Sequence, residues 1–402
     1  MSRKKIMRLP YWEFVILVSI MFGMIAFGTD TMLPAFPNIA KDLYLSNVNK
    51  AQLIISSFIL GTGIGQLISG PISDTFGRKP IITIGLGIFI IACGIAYYAK
   101  SLELMLVARF IQGLGVSAPR TVTMALIRDL YSGRKMAQVM SLAMAIFVLV
   151  PALAPSLGQV LFINFGWRSI YIAFIFFALL GLIWLNLRQP ETLPVSKRKK
   201  LKANEYFDAF KLVITNASVV KYTLTLALGF GALFGYLNSA QQIFVDTFSA
   251  GMKFPLYFAI ISILAAPASF INASLVMKYG MRLLATIGFA LQIIFAVIIL
   301  LILNTSILAD QLFLTVFVIW STIAFFLKGF YFGNLNALAM EPMGKIAGMA
   351  SAIIGASATM VGILIAVFIG LAFNGTATPV LLGYIICSTA ALFLMLSQSK
   401  SN

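Results

Sequence analysis

Apolar runs of about twenty residues recur along the whole chain, and nothing else in it limits the fold so strongly. Each is long enough to cross a hydrocarbon core about 30 Å thick as a helix. In that medium every backbone N–H and C=O must be satisfied within the protein, so only helices or a closed barrel can span it. The strand-length alternation of a barrel is absent, and the expected class is an all-α membrane protein. Twelve spans are read at about 12–36, 50–70, 80–99, 104–127, 137–163, 168–187, 219–244, 255–276, 283–303, 310–335, 346–372 and 378–396. Composition excludes a soluble globule: 60% of the 402 residues are hydrophobic and 10% charged, against about 45–50% and 25% in soluble domains. The first run is too long for a secretion signal and is read as a span retained in the mature protein.

The same composition narrows the chemistry. The chain has no histidine, which removes the usual proton shuttle, the usual metal ligand and every histidine-based triad. Its two cysteines, Cys93 and Cys387, both lie inside apolar runs, so no disulfide framework, metal or cofactor is expected. No large hydrophilic segment could house a catalytic domain, and an enzyme is not expected.

The net charge of +17 sits in the loops, where it orients a membrane protein and does not call for nucleic acid. With the N-terminus inside, 21 Lys and Arg fall in cytoplasmic segments; only Lys41, Lys50, Lys100, Arg168 and Lys253 fall outside. That bias places both termini in the cytoplasm. One long polar connection, Arg188 to Asn216, carries Lys197-Arg198-Lys199-Lys200 at its centre and reads as a linker drawn to anionic lipid headgroups. It divides the chain into a six-span bundle (1–187), a basic cytoplasmic linker (188–218) and a second six-span bundle (219–402).

The stretch from Gly70 to Pro80 (GPISDTFGRKP) is a charged turn between two spans, which it forces to be antiparallel neighbours. Gly77-Arg78-Lys79-Pro80 through Gly85 is echoed by Gly280-Met281-Arg282-Leu283 through Gly288, and Lys135 to Ser141 by Lys345 to Ser351. Two echoes on either side of a central linker indicate a duplicated six-helix unit, the layout of transporters that rock two halves around a midplane site.

Four ionisable residues fall well inside spans: Asp30, Arg109, Arg120 and Lys328. Each costs about 2.5–3.5 kcal/mol at a helix centre and needs a partner or a water-filled cavity. Asp30 lies about 9 Å from the outer end of span 1, and Arg109 at a similar depth in span 4. A structural ion pair and a proton site are both open for them. Without histidine, a carboxylate is the natural group to carry a proton at this depth, and Asp30 is the one acidic residue well inside a span. Arg120, eleven residues beyond Arg109, shares its helix face, with Gln112 and Thr123 near the same stripe. Lys328 either snorkels toward the inner surface or places a charge in a cavity. Span 7 carries Tyr236, Asn238, Gln241 and Gln242, suited to a cavity wall or to interhelical hydrogen bonds. Span 5 carries Pro151, Pro155 and Gly158, which suit a bent or closely packed helix.

These stretches resemble the major facilitator superfamily. Gly70 to Lys79 is similar to its loop motif between helices 2 and 3, Leu106 to Gly113 to its helix-4 motif, and Pro151, Pro155 and Gly158 to the helix-5 antiporter motif of twelve-helix drug:proton antiporters. Asp30 to Pro37, Leu126 to Leu130, Gly166-Trp167-Arg168 and Ala337 to Gly355 resemble the Bcr/CflA group of drug and metabolite exporters. The resemblance implies twelve helices in two six-helix bundles with pseudo-twofold symmetry, helices 1, 4, 7 and 10 lining a cavity. It implies proton coupling by Asp30 and Arg109, and a cytoplasmic gate made by Gly70, Asp74, Gly77, Arg78 and Asp129. The substrate cavity then holds Gln112, Arg120, Tyr236, Asn238, Gln241, Gln242 and Lys328. The chain departs from the pattern at Gln159, which stands where a second glycine is usual, and at Gly333-Asn334, where a proline is expected before the asparagine. Arg120 and Lys328 are additions to it, and they suit an anionic or zwitterionic substrate.

The expected function is a proton-coupled antiporter that exports drugs or metabolites across a bacterial inner membrane by alternating access. It would act as a monomer with protons, a small-molecule substrate and membrane lipid as partners. A proton-coupled importer of a nutrient on the same fold is the alternative, and a polytopic membrane enzyme a distant one.

Overall fold

A computed structural model describes residues 9–198, 203–303 and 310–397. The basic residues Arg3, Lys4, Lys5, Arg8, Lys199, Lys200, Lys202 and Lys400 lie outside them. All regular structure among the described residues is helical. In chain order the α-helices are α1 (Tyr11–Asp30), α2 (Phe36–Asp42), α3 (Leu53–Phe76), α4 (Arg78–Tyr97), α5 (Leu102–Leu130), α6 (Gly133–Phe165), α7 (Ser169–Arg188) and α8 (Ala203–Thr215). They continue with α9 (Ala217–Gln242), α10 (Phe254–Ala265), α11 (Ala268–Tyr279), α12 (Met281–Leu303), α13 (Asp310–Lys328), α14 (Phe332–Met340), α15 (Ala347–Leu371) and α16 (Thr378–Leu396). Eleven helical segments of the described residues are long and apolar enough to cross a membrane, and the Leu149–Phe165 part of α6 is a further apolar stretch. Large apolar side chains such as Ile91, Phe176, Leu187 and Phe393 remain exposed, as faces turned to lipid require.

The chain forms two compact units, one of Met1–Met32 with Ser57–Tyr206 and one of Leu33–Ser56 with Phe207–Asn402. In the first, α1 packs on α5 and α6, and α4 on α5 and α7. Glycines allow the closest crossings: a Cβ on Gly113 would lie 2.7 Å from the Thr62 nitrogen, and one on Gly61 2.9 Å from the Phe110 carbonyl carbon. Without a hydrophobic driving force between helices in lipid, this close backbone approach is a main source of association. Ser101 caps α5 by accepting from the Leu104 N–H at 3.3 Å, the role for which a serine at this position is favoured.

The structure redraws several sequence expectations. The Gly70–Pro80 turn is far tighter than its composition implies, since α3 continues through Pro71 to Phe76 and α4 begins at Arg78. Gly77 alone reverses the chain, at φ +109°, a region where only glycine is unstrained. The polar linker is partly helical. Within the first unit, which ends at Tyr206 in the first turn of α8, the Tyr206 hydroxyl donates to the Leu67 carbonyl at 2.9 Å. Burial pushes the Tyr206 phenol up from its ordinary range.

In the second unit, α9 packs along α15 and α16, and two spans read as continuous are broken. One stops at Ala265 and resumes at Ala268, across Pro267. The other stops at Lys328 and resumes at Phe332. The breaks face each other: a Cβ on Gly329 would lie 2.6 Å from that of Ala268. Asn272 and Asn334 bridge the flanking helices, with Asn334 Nδ2 donating to Asn272 Oδ1 at 2.9 Å.

Candidate functional site

The first unit buries one carboxylate among its described residues, that of Asp30, at 4% exposure on the last turn of α1. The Thr29 hydroxyl lies within hydrogen-bond reach of Asp30 Oδ1 (2.8 Å) and of the Ala26 carbonyl (3.1 Å). Arg109 is fully buried on α5. Its guanidinium donates to Gln112 Oε1 at 2.8 Å, donates to the Gly28 carbonyl at 2.8 Å, and lies 4.4 Å from the centroid of the Phe58 ring. Among the described residues, α1 and α5 are therefore joined here through the Gly28 backbone, and not through an Asp30–Arg109 ion pair. A guanidinium fixed by an amide, a carbonyl and an aromatic face thus holds the α1 backbone two residues before the carboxylate that the Thr29 hydroxyl reaches. Arg120, three turns along α5, is exposed on this unit's surface.

Gly158 holds this corner together. A Cβ there would lie 2.8 Å from the Thr31 carbonyl carbon and would overlap its oxygen, so α6 meets α1 directly after Asp30. Pro151 and Pro155 sit within α6, which runs unbroken through them.

At the other end of this unit Arg78 is 7% exposed. Its side chain donates to Asp129 Oδ2 at 3.1 Å, to the Ser73 hydroxyl at 2.8 Å and to the Asp74 carboxylate. Thr192 also donates to Asp129, at 3.0 Å. The sequence reading missed Glu191. Its two oxygens accept from the Arg78 N–H (3.1 Å) and the Lys79 N–H (3.0 Å) at the start of α4, where an acidic group satisfies otherwise orphaned donors and suits the helix dipole. Nothing local signals this, because the carboxylate comes from more than a hundred residues away. Replacing Glu191 with alanine is expected to cost about 1 kcal/mol, the usual worth of such a cap, and Glu191→Gln less. Thermal unfolding of detergent-purified protein reads the order of the three.

The second unit gathers the other expected site residues. Tyr236 is fully buried against Phe325, Phe317 and Trp320, with ring centroids 5.2–6.2 Å apart. Lys328 ends α13 at 6% exposure, its Nζ 3.4 Å from the Phe325 ring centroid. Asn238 and Gln242 make interhelical hydrogen bonds, the second of the two roles open to them. Asn238 donates to the Ser56 hydroxyl at 3.2 Å. Gln242 donates to Asn49 Oδ1 at 2.9 Å and accepts from Gln52 Nε2. Asn49 goes on to the Phe373 carbonyl at 2.8 Å. These bonds hold Leu33–Ser56 onto α9 and the end of α15. Gln241 is buried beside them.

Residues 18–367 match the family described as "Major Facilitator Superfamily". A protein of Haemophilus influenzae named "Bicyclomycin resistance protein homolog" is 28% identical over 392 residues, 96% of each chain. "Multidrug resistance protein MdtL" of Escherichia coli is 28% identical over 375 residues, 92% of this chain and 91% of that one. Among solved structures, a D-xylose-proton symporter superposes with a TM-score of 0.75 at 16% identity, over 96% of this chain and 97% of the other. At that identity the likeness is one of fold.

Proposed function

The chain belongs to the Major Facilitator Superfamily, and from that premise we propose that it is a proton-coupled antiporter exporting small molecules across a bacterial inner membrane. In this reading its spans number twelve, in two six-helix bundles of pseudo-twofold symmetry with a cytoplasmic linker between them and both termini in the cytoplasm. It works as a monomer by alternating access. The observation that carries the reading is the carboxylate of Asp30, the one buried among the described residues, one residue from the α1–α6 contact and two from the carbonyl held by Arg109. Ionising it there requires water or a cation, whereas the protonated acid requires neither. Proton binding and closure over this helix end are then linked, as antiport requires. The names of the two similar bacterial proteins, bicyclomycin resistance and multidrug resistance, support export of drug-like cargo.

One proton moved down 100 mV supplies about 2.3 kcal/mol, and one pH unit adds about 1.4. Together they sustain a substrate gradient of a few hundredfold. Ethidium and a pH-sensitive dye in proteoliposomes test the assignment. An imposed proton gradient is expected to drive ethidium against the direction of proton flow, with substrate-dependent collapse of the gradient. Movement of both in one direction would establish an importer instead.

A further inference from the structure

Lys328 has a chemical task that the proton site does not absorb. Its ammonium is more than nine-tenths buried at the end of α13, beside the break that separates α13 from α14. It lies 3.4 Å from the centroid of Phe325, 5.7 Å from that of Tyr384 and 5.9 Å from that of Tyr236. Among the described residues, Nζ has no hydrogen-bond partner, and the same holds for the hydroxyls of Tyr236, Tyr384 and Ser321 and for Trp320 Nε1. No ion pair of the described residues includes Lys328. The rings touch in sequence: Trp320 lies 5.0 Å from Tyr384 and 6.2 Å from Tyr236, which lies 5.2 Å from Phe325. Ser321, Phe325 and Lys328 recur at helical spacing along one face of α13.

An aromatic face only partly compensates a buried ammonium, and each unpartnered donor beside it adds to the cost. A lysine with a purely structural task would be paired with a carboxylate of the protein. Here an ammonium and an indole N–H, which can only donate, are surrounded by hydroxyls that can also donate. Their complement is an acceptor-rich anion with an apolar body that fits among the rings. The single positive charge, with no arginine fork beside it, matches a monocarboxylate better than a phosphate. Paired helix breaks are also where membrane transporters build ligand sites.

We propose that Lys328, with the hydroxyls of Tyr236, Tyr384 and Ser321 and the indole of Trp320, binds the carboxylate of an amphipathic, aromatic small molecule. The proposal rests on the transporter reading only in taking that ligand as cargo.

The test compares 3-phenylpropionate with 3-phenylpropionamide, which differ in charge and little in shape, and adds inorganic phosphate. Binding to the purified full chain in nanodiscs is followed by tryptophan fluorescence, with Trp320→Phe identifying the reporter, and by thermal shift. The carboxylate is expected to bind about tenfold or more tighter than the amide. Lys328→Met, which removes a buried charge and should fold, abolishes that preference. Lys328→Arg restores part of it, and Ser321→Ala weakens it. Equal affinity for the two compounds, absence of binding by both, a preference that survives Lys328→Met, or stronger binding of phosphate would each overturn the site. No proton gradient enters this measurement. Proton-driven ethidium export without carboxylate preference defeats this inference alone; carboxylate preference without antiport defeats the function reading alone.

Discussion

Asp30→Asn is expected to abolish proton-driven transport while the protein folds and still exchanges substrate. Asparagine has nearly the same shape, and its amide oxygen can take the Thr29 hydroxyl that lies 2.8 Å from the carboxylate. It loses only the ability to bind and release a proton. No second carboxylate is buried among the described residues to take over, and the chain has no histidine to do so. The substrate gradient of a few hundredfold that one proton can sustain should therefore fall to none. Substrate–substrate exchange, which needs no net proton movement, should survive. Measuring both in the same proteoliposomes separates a coupling defect from a folding defect. Retention of full antiport by the variant would remove Asp30 from the mechanism.

Spans of apolar sequence were legible because lipid permits one solution for a run of that length, and ends such as Thr378–Leu396 and Met281–Leu303 lie within two residues of the expected limits. What the runs could not reveal is where a span breaks inside. Pro267 was the visible signal for one break. At Gly329 the reason is tertiary, since the chain must pass a neighbouring backbone at Ala268. Asp30, Arg109 and Lys328 could be singled out because a charge in an apolar run is costly wherever it sits, and Arg78 because its charged turn resembles a family motif. Asp74 and Asp129 were legible as partners of Arg78, but others were not: Arg109 reaches a backbone carbonyl, which no sequence pattern marks, and the α4 start is capped by Glu191 from beyond α7. The segment Leu33–Ser56 belongs by packing to the second unit, although it lies in the first half of the sequence. Its attachment depends on Asn49 and Gln52, polar residues at the start of an apolar run that the sequence pattern does not single out.

Gly158→Ala is expected to damage both stability and transport, out of proportion to one methyl group. Most small substitutions in a membrane helix face lipid or a flexible side chain that can yield. Here the added carbon would meet the backbone of Thr31, carbon and oxygen together, and a carbonyl cannot rotate away without disturbing the end of α1. To relieve the overlap, the two helices must separate by about 1 Å, which close-packed interiors resist. Overpacking of this kind costs about 1–3 kcal/mol, and valine in place of alanine should cost more. At the other end of the pair, a Cβ on Gly23 would lie 3.0 Å from Val150 Cγ2, a side chain that can yield, so alanine should be tolerated better. Gly23→Ala is therefore the control. Because Thr31 follows Asp30, displacing it also moves the carboxylate relative to the carbonyl that Arg109 holds. Gly158→Ala protein that does fold should then show a smaller proton-driven ethidium gradient than Gly23→Ala protein at equal reconstitution. Equal unfolding temperatures and equal gradients for the two variants would mean that the glycine of α6 is not what positions Asp30.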